Sequence, residues 1–352
     1  MRILHLGTDS FGGYGGIALY NRDLVTALTT LPDCEEVVVV PRVIPQRPHS
    51  LPPKVTFVDE AARGRIAFLR AVRRIRKGEF DLVVCAHVNL LPFARMAAVD
   101  PLLLVYGIDA WQPSKRESSN RLLHYSRAII SISDITRSRL LAWSHYAGPT
   151  YILPNAIHAE EYGVRPKPRQ LVERWNLEGK RVLLTLGRVH SAERYKGFDE
   201  VLEVLPSLPL DVVYVIAGGG DDVPRLEQKA QRLGVKHRVV FTGQFPDSEK
   251  ADLYSLADVY VMPSRGEGFG FVFLEAMAAG VPVIASKHDG GREAVRDGAL
   301  GLLVDPASPA ELRAAIVESL GKRERRVPEG LAYFRFANFE SRVHEIVHHV
   351  RP

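Results

Sequence analysis

The sequence has few cysteines and no long apolar run. Cys34 and Cys85 are the two cysteines among 352 residues, and both lie in or beside apolar segments that predict strands. We therefore expect buried free thiols rather than disulfide bonds. No apolar run approaches the roughly 20 residues that a membrane-spanning helix needs. The opening segment MRILHLG leads into a glycine loop rather than a secretory signal, so we expect a cytoplasmic protein.

Metal-binding patterns are lacking as well. The sequence has no Asp-x-Asp pair and no histidine–cysteine cluster placed to hold a divalent ion, so we expect no metal. The net charge is only +5, and 46% hydrophobic with 25% charged residues is ordinary for a globular protein. No recognition motif accompanies the basic residues, which disfavours nucleic acid as a partner.

The basic residues concentrate in RGRIAFLRAVRRIRKG, residues 63–78. On a helix, four apolar residues would form one stripe: Ile66, Leu69, Val72 and Ile75. Four cations would fall largely on other faces: Arg70, Arg73, Arg74 and Lys77. Such a helix could lie on an anionic membrane at the inner leaflet. Alternatively, it could pack on a sheet and leave a solvated basic face.

Strand and helix patterns alternate in both halves of the chain. Continuous Val, Ile and Leu runs such as FDLVVCAH and PLLLVYGI are typical of parallel strands covered on both faces. We predict an α/β protein with two Rossmann-like, doubly wound parallel-sheet domains, residues 1–165 and residues 166–330, separated near the proline-rich segment VRPKPRQ. A terminal helix within residues 331–352 could pack back on the first domain. We expect the ligand in a central cleft between the domains.

The glycine loop GTDSFGGYGG, residues 7–16, follows the first predicted strand. Its glycines allow backbone amides to approach a ligand closely, and the helix that follows favours an anion at its N-terminus. Dinucleotide binding is disfavoured, because Gly13 comes well after Leu6 and no acidic residue follows the second strand.

Two cations indicate a phosphate site in the second half. Arg188 lies just beyond a predicted strand, and Lys196 follows eight residues later, before a glycine and a helix. Two cations at the carboxyl edge of a strand can neutralise a diphosphate without a metal. The alternative is a pair of solvated surface cations.

Two glutamates bracket RGEGFGFVFLE, residues 265–275. Glu267 lies in a glycine-rich turn, and Glu275 lies about one turn into a helix that we expect to begin near Gly270 or Phe271. The first carboxylate could accept sugar hydroxyls and the second a ribose diol, at about 1.5–3 kcal/mol for each charge-assisted bond. With phosphates held between them, this order matches the parts of a nucleotide sugar.

Together, these segments resemble the retaining glycosyltransferases of the GT-B fold, family four, also called glycosyltransferase group one. SRGEGFGFVFLEAMAAGVPVIAS resembles the family signature of two glutamates, and LGRVHSAERYKG resembles its diphosphate-binding segment. GGYGG resembles its glycine loop, with Gly16 closest to the transferred sugar. HVNLLP resembles its active-site histidine segment, which nominates His87. The resemblance covers essentially the whole chain.

The resemblance implies a metal-independent hexosyltransferase that retains anomeric configuration. It would move a hexose from a UDP- or GDP-sugar to an acceptor hydroxyl with an α-linkage, mainly by orientation and by stabilising the departing diphosphate. The implied catalytic residues are His87, Arg188, Lys196 and Glu267. The implied donor-binding residues are Gly15, Gly16, Arg188, Lys196, Phe245, Glu267, Phe269, Gly270, Phe271 and Glu275. His87 would bind the donor sugar, or it is a satisfied histidine at a strand end.

The acceptor side is less defined. Asp109 lies where the family often has a histidine-containing turn, and it could bind an acceptor hydroxyl or cap a turn. Asp9 and Tyr14 also border the expected acceptor side. AERYKGFDEVLEVLP resembles variants of polysaccharide-assembly enzymes, which favours a sugar or lipid-linked acceptor in cell-envelope, exopolysaccharide or glycolipid assembly. A nucleotide-sugar epimerase and a non-catalytic nucleotide-sugar-binding protein are the alternatives.

Overall fold

The computed structural model describes residues 1–48, 50–76, 78–98, 100–322 and 324–351. Lys77 of the predicted basic helix and Pro352 of the predicted terminal segment lie outside the described residues. The chain divides into two compact units, one of Met1–Ala156 with Phe336–Pro352 and one of Ile157–Arg335.

Seven parallel strands form the sheet of the first unit: β1 (Arg2–Gly7), β2 (Glu36–Pro41), β3 (Val55–Phe57), β4 (Leu82–Ala86), β5 (Leu102–Val105), β6 (Ile129–Ser131) and β7 (Thr150–Ile152). Their order is β3-β2-β1-β4-β5-β6-β7. Every residue of β4 and β5 is buried, because helices cover both faces of such a sheet. This explains the continuous apolar runs in the sequence.

Five helices connect these strands: α1 (Gly16–Thr29), α2 (Arg65–Arg74), α3 (Leu91–Ala97), α4 (Glu117–Leu122) and α5 (Asp134–Ser144). Short 3-10 segments lie at Asp59–Arg63, Val88–Leu90 and Leu123–Tyr125. Ser133 caps the start of α5, and its hydroxyl accepts a hydrogen bond from the backbone N–H of Thr136. Such a serine satisfies one of the free amides at a helix start.

The predicted apolar stripe of the basic helix is confirmed at Val72 but wrong at Ile66. The buried residues of α2 are Phe68, Ala71 and Val72, whereas Ile66 is 67% exposed. The Phe68 ring packs edge-to-face on Phe93, with 5.2 Å between centroids. The large aromatic side chain therefore takes the core position, and the helix is rotated relative to the prediction.

The second unit contains six parallel strands: β8 (Arg181–Leu186), β9 (Val212–Ala217), β10 (Val239–Phe241), β11 (Val259–Met262), β12 (Val283–Ser286) and β13 (Leu302–Val304). Their order is β10-β9-β8-β11-β12-β13. The helices are α6 (Arg169–Arg174), α7 (Phe198–Val204), α8 (Val223–Arg232), α9 (Lys250–Leu256), α10 (Phe271–Ala278), α11 (Gly291–Ala294) and α12 (Pro309–Leu320). The 3-10 segments are Ala159–Glu161, Ser191–Lys196, Leu205–Ser207, Lys236–Arg238, Asp247–Glu249, Arg296–Gly298 and Glu329–Phe334.

The chain passes between the units earlier than the predicted boundary at residue 165. The N–H of Ile157 donates to the carbonyl of Phe334 at 2.7 Å, and the N–H of Gly163 donates to that of Ala278 at 3.1 Å. These bonds tie residues 157–165 to the second unit, because the segment runs along its helices rather than forming a free hinge.

The last helix, α13 (Phe336–Val350), returns to the first unit. It packs on α1, where Phe339 meets Tyr20 edge-to-face with 5.6 Å between ring centroids. Both cysteines are buried and free, as predicted. Within the described residues, no helix combines the length and apolar character needed to cross a membrane.

Candidate functional site

Three loops of the second unit meet at the carboxyl edge of its sheet. In the sheet, β8 lies beside β11, and β12 lies on the other side of β11. The loop after β8 carries Arg188, the loop after β11 carries Glu267, and the loop after β12 carries Asp289. Because parallel strands end at the same edge, residues distant in sequence share one surface, which is where open α/β sheets bind ligands.

The loop after β8 packs directly on a run of three glycines, Gly218–Gly220. A Cβ added to Gly218 would lie 2.0 Å from the carbonyl oxygen of Gly187, and one on Gly220 would lie 2.0 Å from that of Val189. The backbone approach therefore requires glycine at both positions. Three glycines after a buried strand were a visible signal for this close approach, which the sequence analysis did not use.

Arg188 and Lys196, which we call the cation pair, converge on one carboxylate. The Nη2 of Arg188 lies 2.6 Å from Oε1 of Glu193, and the Nζ of Lys196 lies 2.6 Å from its Oε2. The Arg188 side chain is 73% exposed, but those of Lys196 and Glu193 are only 11% and 14% exposed. The interpretation of both cations as solvated therefore fails for Lys196. Glu193 was missed, although it lies between them in the sequence.

The backbone on either side of Lys196 holds this residue in place. Gly197, which follows it, has φ +85°, and a Cβ there would lie 2.5 Å from the carbonyl oxygen of Pro263. The Nζ of Lys196 also donates to the carbonyl of Arg188 at 3.4 Å. The loop after β8 and the end of β11 thus hold the ammonium group at the sheet edge.

Glu267 lies in a turn that Asp289 organises. The Oδ2 of Asp289 accepts a hydrogen bond from the N–H of Glu267 at 2.9 Å, and its Oδ1 accepts one from Gly291 at 3.0 Å. Burial raises the pKa of Glu267 to about 7; Lys196 opposes this rise and the charge of Asp289 adds to it. Asp289 was missed by sequence reasoning, which did not consider the HDGG segment after β12.

The residues between Glu267 and Glu275 are mostly glycines and apolar side chains, so they offer a ligand mainly their backbone groups. Gly270 has φ +92° and precedes the first residue of α10, Phe271, as predicted. The Phe269 side chain is buried, and its ring packs on Phe334 with 5.6 Å between centroids. Phe271 is partly exposed. Phe245 is also partly exposed, in the loop after β10.

Glu275 is buried, and it does not lie in the exposed loops at the sheet edge. Its side chain is 3% exposed, because the apolar helix α10 turns it inward. Its Oε2 accepts a hydrogen bond from the hydroxyl of Tyr254 at 2.7 Å, and Lys250 pairs with its Oε1. The carboxylate thus has partners within the protein, and the predicted ribose contact stays a prediction. Sequence reasoning found neither Lys250 nor Tyr254.

The first unit also gathers polar residues at the carboxyl edge of its sheet. The neighbouring strands β1, β4 and β5 are followed by the glycine loop, by His87 and by the turn that contains Asp109. The Nδ1 of His87 accepts a hydrogen bond from the N–H of Asn89 at 2.9 Å. Burial and the positive charge of Arg116 lower the pKa of His87. The neutral ring therefore carries its proton on Nε2, which is a hydrogen-bond donor.

The second half of the glycine loop is exposed, whereas its first half is packed against neighbouring residues. Tyr14, Gly15 and Gly16 are exposed, and Gly15 has φ +86°. The Oδ1 of Asp9 accepts a hydrogen bond from the N–H of Ser10 at 2.8 Å, and a Cβ on Gly13 would lie 1.8 Å from that oxygen. The Asp9 carboxylate thus faces its own loop.

Below this loop lies a buried polar cluster that the sequence did not reveal. The hydroxyl of Tyr106 donates to Oδ1 of Asn21 at 2.7 Å, and Nδ2 of Asn21 donates to the carbonyl of Asp9 at 2.7 Å. The Nε2 of His5 lies 3.2 Å from the same Oδ1, and burial lowers the pKa of His5 to about 4. Asn21 therefore joins the glycine loop to the ends of β1 and β5.

Asp109 shows features of both predicted roles. Burial raises its pKa to about 7, while backbone N–H groups of its own turn act in the opposite direction. In the part of the chain that the structure describes, its Oδ2 is buried without a hydrogen-bond partner. The backbone contacts fit a turn cap, and the unpartnered oxygen fits a ligand hydroxyl. The two alternatives stay open.

Comparison with known proteins assigns a family to part of the chain. Residues 170–327 match the family described as glycosyl transferases group 1. This segment belongs to the group 1 glycosyltransferase family. It contains the cation pair, Glu193, Glu267 and Glu275, whereas His87 and the glycine loop lie outside it.

Related proteins support this assignment. The chain is 33% identical over 258 residues to a GDP-mannose-dependent α-(1-6)-phosphatidylinositol monomannoside mannosyltransferase of Mycobacterium tuberculosis. That match covers 69% of this chain and 66% of the relative, just under two thirds of the relative's length.

Solved structures show the fold. Sucrose-phosphate synthase from Thermosynechococcus elongatus has a TM-score of 0.78 at 22% identity, with 99% of both chains covered. Anabaena HepE in complex with UDP and glucose has a TM-score of 0.75 at 20% identity, again with 99% of both chains covered. The chain therefore has the predicted GT-B fold, built from two parallel-sheet α/β domains.

Proposed function

We propose that this protein is a retaining hexosyltransferase, which moves a hexose from a nucleotide-diphosphate sugar to an acceptor hydroxyl with an α-linkage. The observation that carries the proposal is the convergence of Arg188 and Lys196 at the sheet edge, with Glu267 in the neighbouring loop. This arrangement lies within the segment that matches the group 1 family.

The cation pair would stabilise the departing diphosphate. Lys196 is largely removed from water, so its attraction to an anion is screened less than that of a surface lysine. Charge grows on the leaving diphosphate as the glycosidic bond breaks, and a fixed cation stabilises that state more than the ground state. The leaving phosphate would take the acceptor proton on the same face of the sugar.

Glu267 and His87 would bind the donor sugar. Glu267 is a partly exposed residue, and its carboxylate accepts hydrogen bonds from hydroxyl groups when it is ionised. His87 presents Nε2–H as a neutral donor. We assign Gly15, Gly16 and the backbone near Gly270 to donor contacts. On the acceptor side we assign Asp9, Tyr14 and Asp109; among the described residues, the Oδ2 of Asp109 finds no hydrogen-bond partner.

The donor proposed is a GDP- or UDP-hexose, and the acceptor is a sugar or a lipid-linked sugar. The mycobacterial relative is named for GDP-mannose and a phosphatidylinositol monomannoside, and HepE was solved with UDP and glucose. Those chemistries support a role in cell-envelope, exopolysaccharide or glycolipid assembly.

A donor screen tests the proposal. Thermal shift and hydrolysis are measured across UDP-, GDP-, ADP- and TDP-sugars, with Lys196→Ala as the control protein. We expect one nucleotide class to raise the melting temperature of the wild type and to be slowly hydrolysed, with release of the α-anomer. Release of an epimerised nucleotide sugar would favour an epimerase instead. Binding without turnover in the presence of glycolipid and saccharide acceptors would favour a non-catalytic binding protein.

We propose that transfer needs no metal, because Arg188 and Lys196 would supply the positive charge that offsets the diphosphate. Activity should persist in EDTA, measured as nucleoside diphosphate release with the best donor from the screen. Complete loss in EDTA that magnesium restores would contradict this assignment of charge to the cation pair.

We propose that α2 brings the protein to the anionic inner face of the plasma membrane. Its arginines at 65, 70, 73 and 74 are exposed, and so is Ile66, which together suit a charged surface with an apolar layer below. At low salt the protein should co-sediment with vesicles that contain anionic lipid. The variant Arg70→Gln/Arg73→Gln/Arg74→Gln should bind less, and neutral vesicles serve as the control. Equal sedimentation of both proteins would leave α2 a structural helix with a solvated face.

A further inference from the structure

Glu193 occupies the space between the two cations proposed to bind the diphosphate. Its two carboxylate oxygens are divided between them, with Oε1 2.6 Å from Arg188 and Oε2 2.6 Å from Lys196. A bridging carboxylate and a bridging phosphate use the same donor groups, because both present oxygens to guanidinium and ammonium nitrogens. Glu193 therefore partly neutralises the charge of the cation pair, as a bound phosphate would.

The two ion pairs differ in strength. Arg188 is largely exposed, so its pair with Glu193 is screened and weak. Lys196 and Glu193 are both mostly buried, so removing the carboxylate without a replacement would leave a buried ammonium unpaired. An incoming diphosphate supplies that replacement, since it brings more negative charge to the same nitrogens.

The diphosphate and the Glu193 carboxylate repel each other if both stay at the cation pair. At the few ångströms that separate two partners of one ammonium group, like charges raise the energy of the complex. Donor binding is therefore linked to release of Glu193 from at least one of the two cations.

The backbone around Glu193 is held on both sides, so the release is a side-chain rotation. On one side, Asp221 accepts hydrogen bonds from the N–H and the hydroxyl of Ser191 at 2.9 and 2.7 Å. On the other side, the carbonyl of Tyr195 accepts one from the N–H of Arg265 at 2.8 Å. These contacts fix the segment while the Glu193 side chain turns.

We propose that Glu193 is a positioning residue that holds the cation pair in the absence of ligand and is displaced by the diphosphate of the donor. It keeps Arg188 and Lys196 together between turnovers, lowers the affinity for nucleoside diphosphate and thereby speeds product release. The proposal rests on the proposed function, because it assigns a competing group to the same diphosphate position.

The test compares Glu193→Gln with the wild type by calorimetric titration with GDP and UDP. Glutamine has the same shape without the charge, so the variant should bind the preferred nucleotide about tenfold more tightly, the value of one charge-assisted contact. At saturating donor its turnover should fall, because the product nucleotide leaves the variant more slowly. Glu193→Asp, whose shorter side chain cannot reach both cations, should show a smaller gain. Glu203→Gln is the matched control, because Glu203 pairs with Lys229 rather than with the cation pair.

The outcomes separate this inference from the proposed function. Wild-type binding of GDP or UDP together with equal or weaker binding by Glu193→Gln overturns the displacement, and Glu193 is then only a support for the cations. If Glu193→Gln does not fold, tighter binding by Glu193→Asp supports displacement and unchanged or weaker binding overturns it. Failure of the wild type to bind any nucleotide or nucleotide sugar overturns the proposed function, and this inference with it.

Discussion

The cation pair of the second unit is charged and paired, whereas the titratable groups at the candidate site of the first unit are kept neutral. Around the sheet edge of the second unit, each cation of the pair has an acidic partner. In the first unit, burial lowers the pKa of His5 and His87 and raises the pKa of Asp9 and Asp109. All four of these shifts favour the uncharged form of the group.

This difference separates two kinds of recognition. Paired charges that can exchange partners suit an anion such as a diphosphate, because the ligand replaces a charge that is already present. Neutral donors and acceptors suit hydroxyl groups, which bring no charge to offset burial. The comparison predicts that variants in the second unit alter nucleotide affinity, whereas variants in the first unit alter turnover.

The largest expected effect belongs to Lys196→Ala. Removing the buried ammonium should weaken nucleoside diphosphate binding about 30-fold and reduce transfer at least as much. Calorimetric titration and a transfer assay measure the two effects. Lys229→Ala, which removes a lysine paired with Asp199 and Glu203, should bind nucleotide normally. Wild-type affinity in Lys196→Ala would remove this residue from the site.

His87→Asn tests the first unit. The asparagine oxygen can still accept the hydrogen bond from the N–H of Asn89, but the Nε2–H donor is lost. We expect kcat to fall about tenfold with unchanged nucleoside diphosphate affinity. His124→Asn, at an exposed histidine of the same unit, is the control. An equal loss of nucleotide affinity would break the division of roles between the units.

The smallest effect is a pH-dependent change in stability. The folded-state pKa of Glu267, about 7, lies above its ordinary value of 4.5. The folded protein therefore binds the proton more tightly than the unfolded chain, and stability from this group is lost as pH rises through 7. Glu267→Gln imitates the protonated form, so relative to the wild type it should gain about 1–2 kcal/mol between pH 5 and pH 8.

In the same unit, the pKa of Asp199 is shifted in the opposite direction, so its contribution to stability has the opposite dependence on pH. Although burial opposes it, hydrogen bonds from Arg225 and Lys229 hold the pKa of Asp199 at about 2. Its stabilising contribution is present above pH 4 and is lost only as pH falls through about 2. Denaturant unfolding from pH 5 to 8 should therefore show a constant destabilisation of Asp199→Asn. A similarly flat difference for Glu267→Gln would contradict the raised pKa of Glu267.

The parts of the site that sequence reasoning found follow from parallel-sheet geometry. Arg188 and Glu267 each come shortly after a buried apolar run, and strand ends in a parallel sheet share an edge. Local glycine patterns placed the start of α10 correctly. The partners of these residues were harder to find, because Glu193, Asp289 and Lys250 matter through contacts rather than through motifs.

The basic helix is a second example of a feature that the sequence could not predict. Periodicity alone placed Ile66 on the apolar side, but the helix buries Phe68 instead and exposes Ile66. A shift of one residue rotates a helix by about 100°. Such a shift is decided by which side chain fits against Phe93, and that fit is not visible in the sequence.

The sequence by itself determined two parallel α/β domains and the positions of the cations and Glu267, because hydrophobic periodicity and glycine placement are local properties of the chain. Only the tertiary structure decided how these groups are charged and partnered. It paired Glu193 with both cations, enclosed Glu275 between Lys250 and Tyr254, and joined Asn21 to the glycine loop. Burial and ion pairing depend on which distant segments come within a few ångströms, and that is a property of packing.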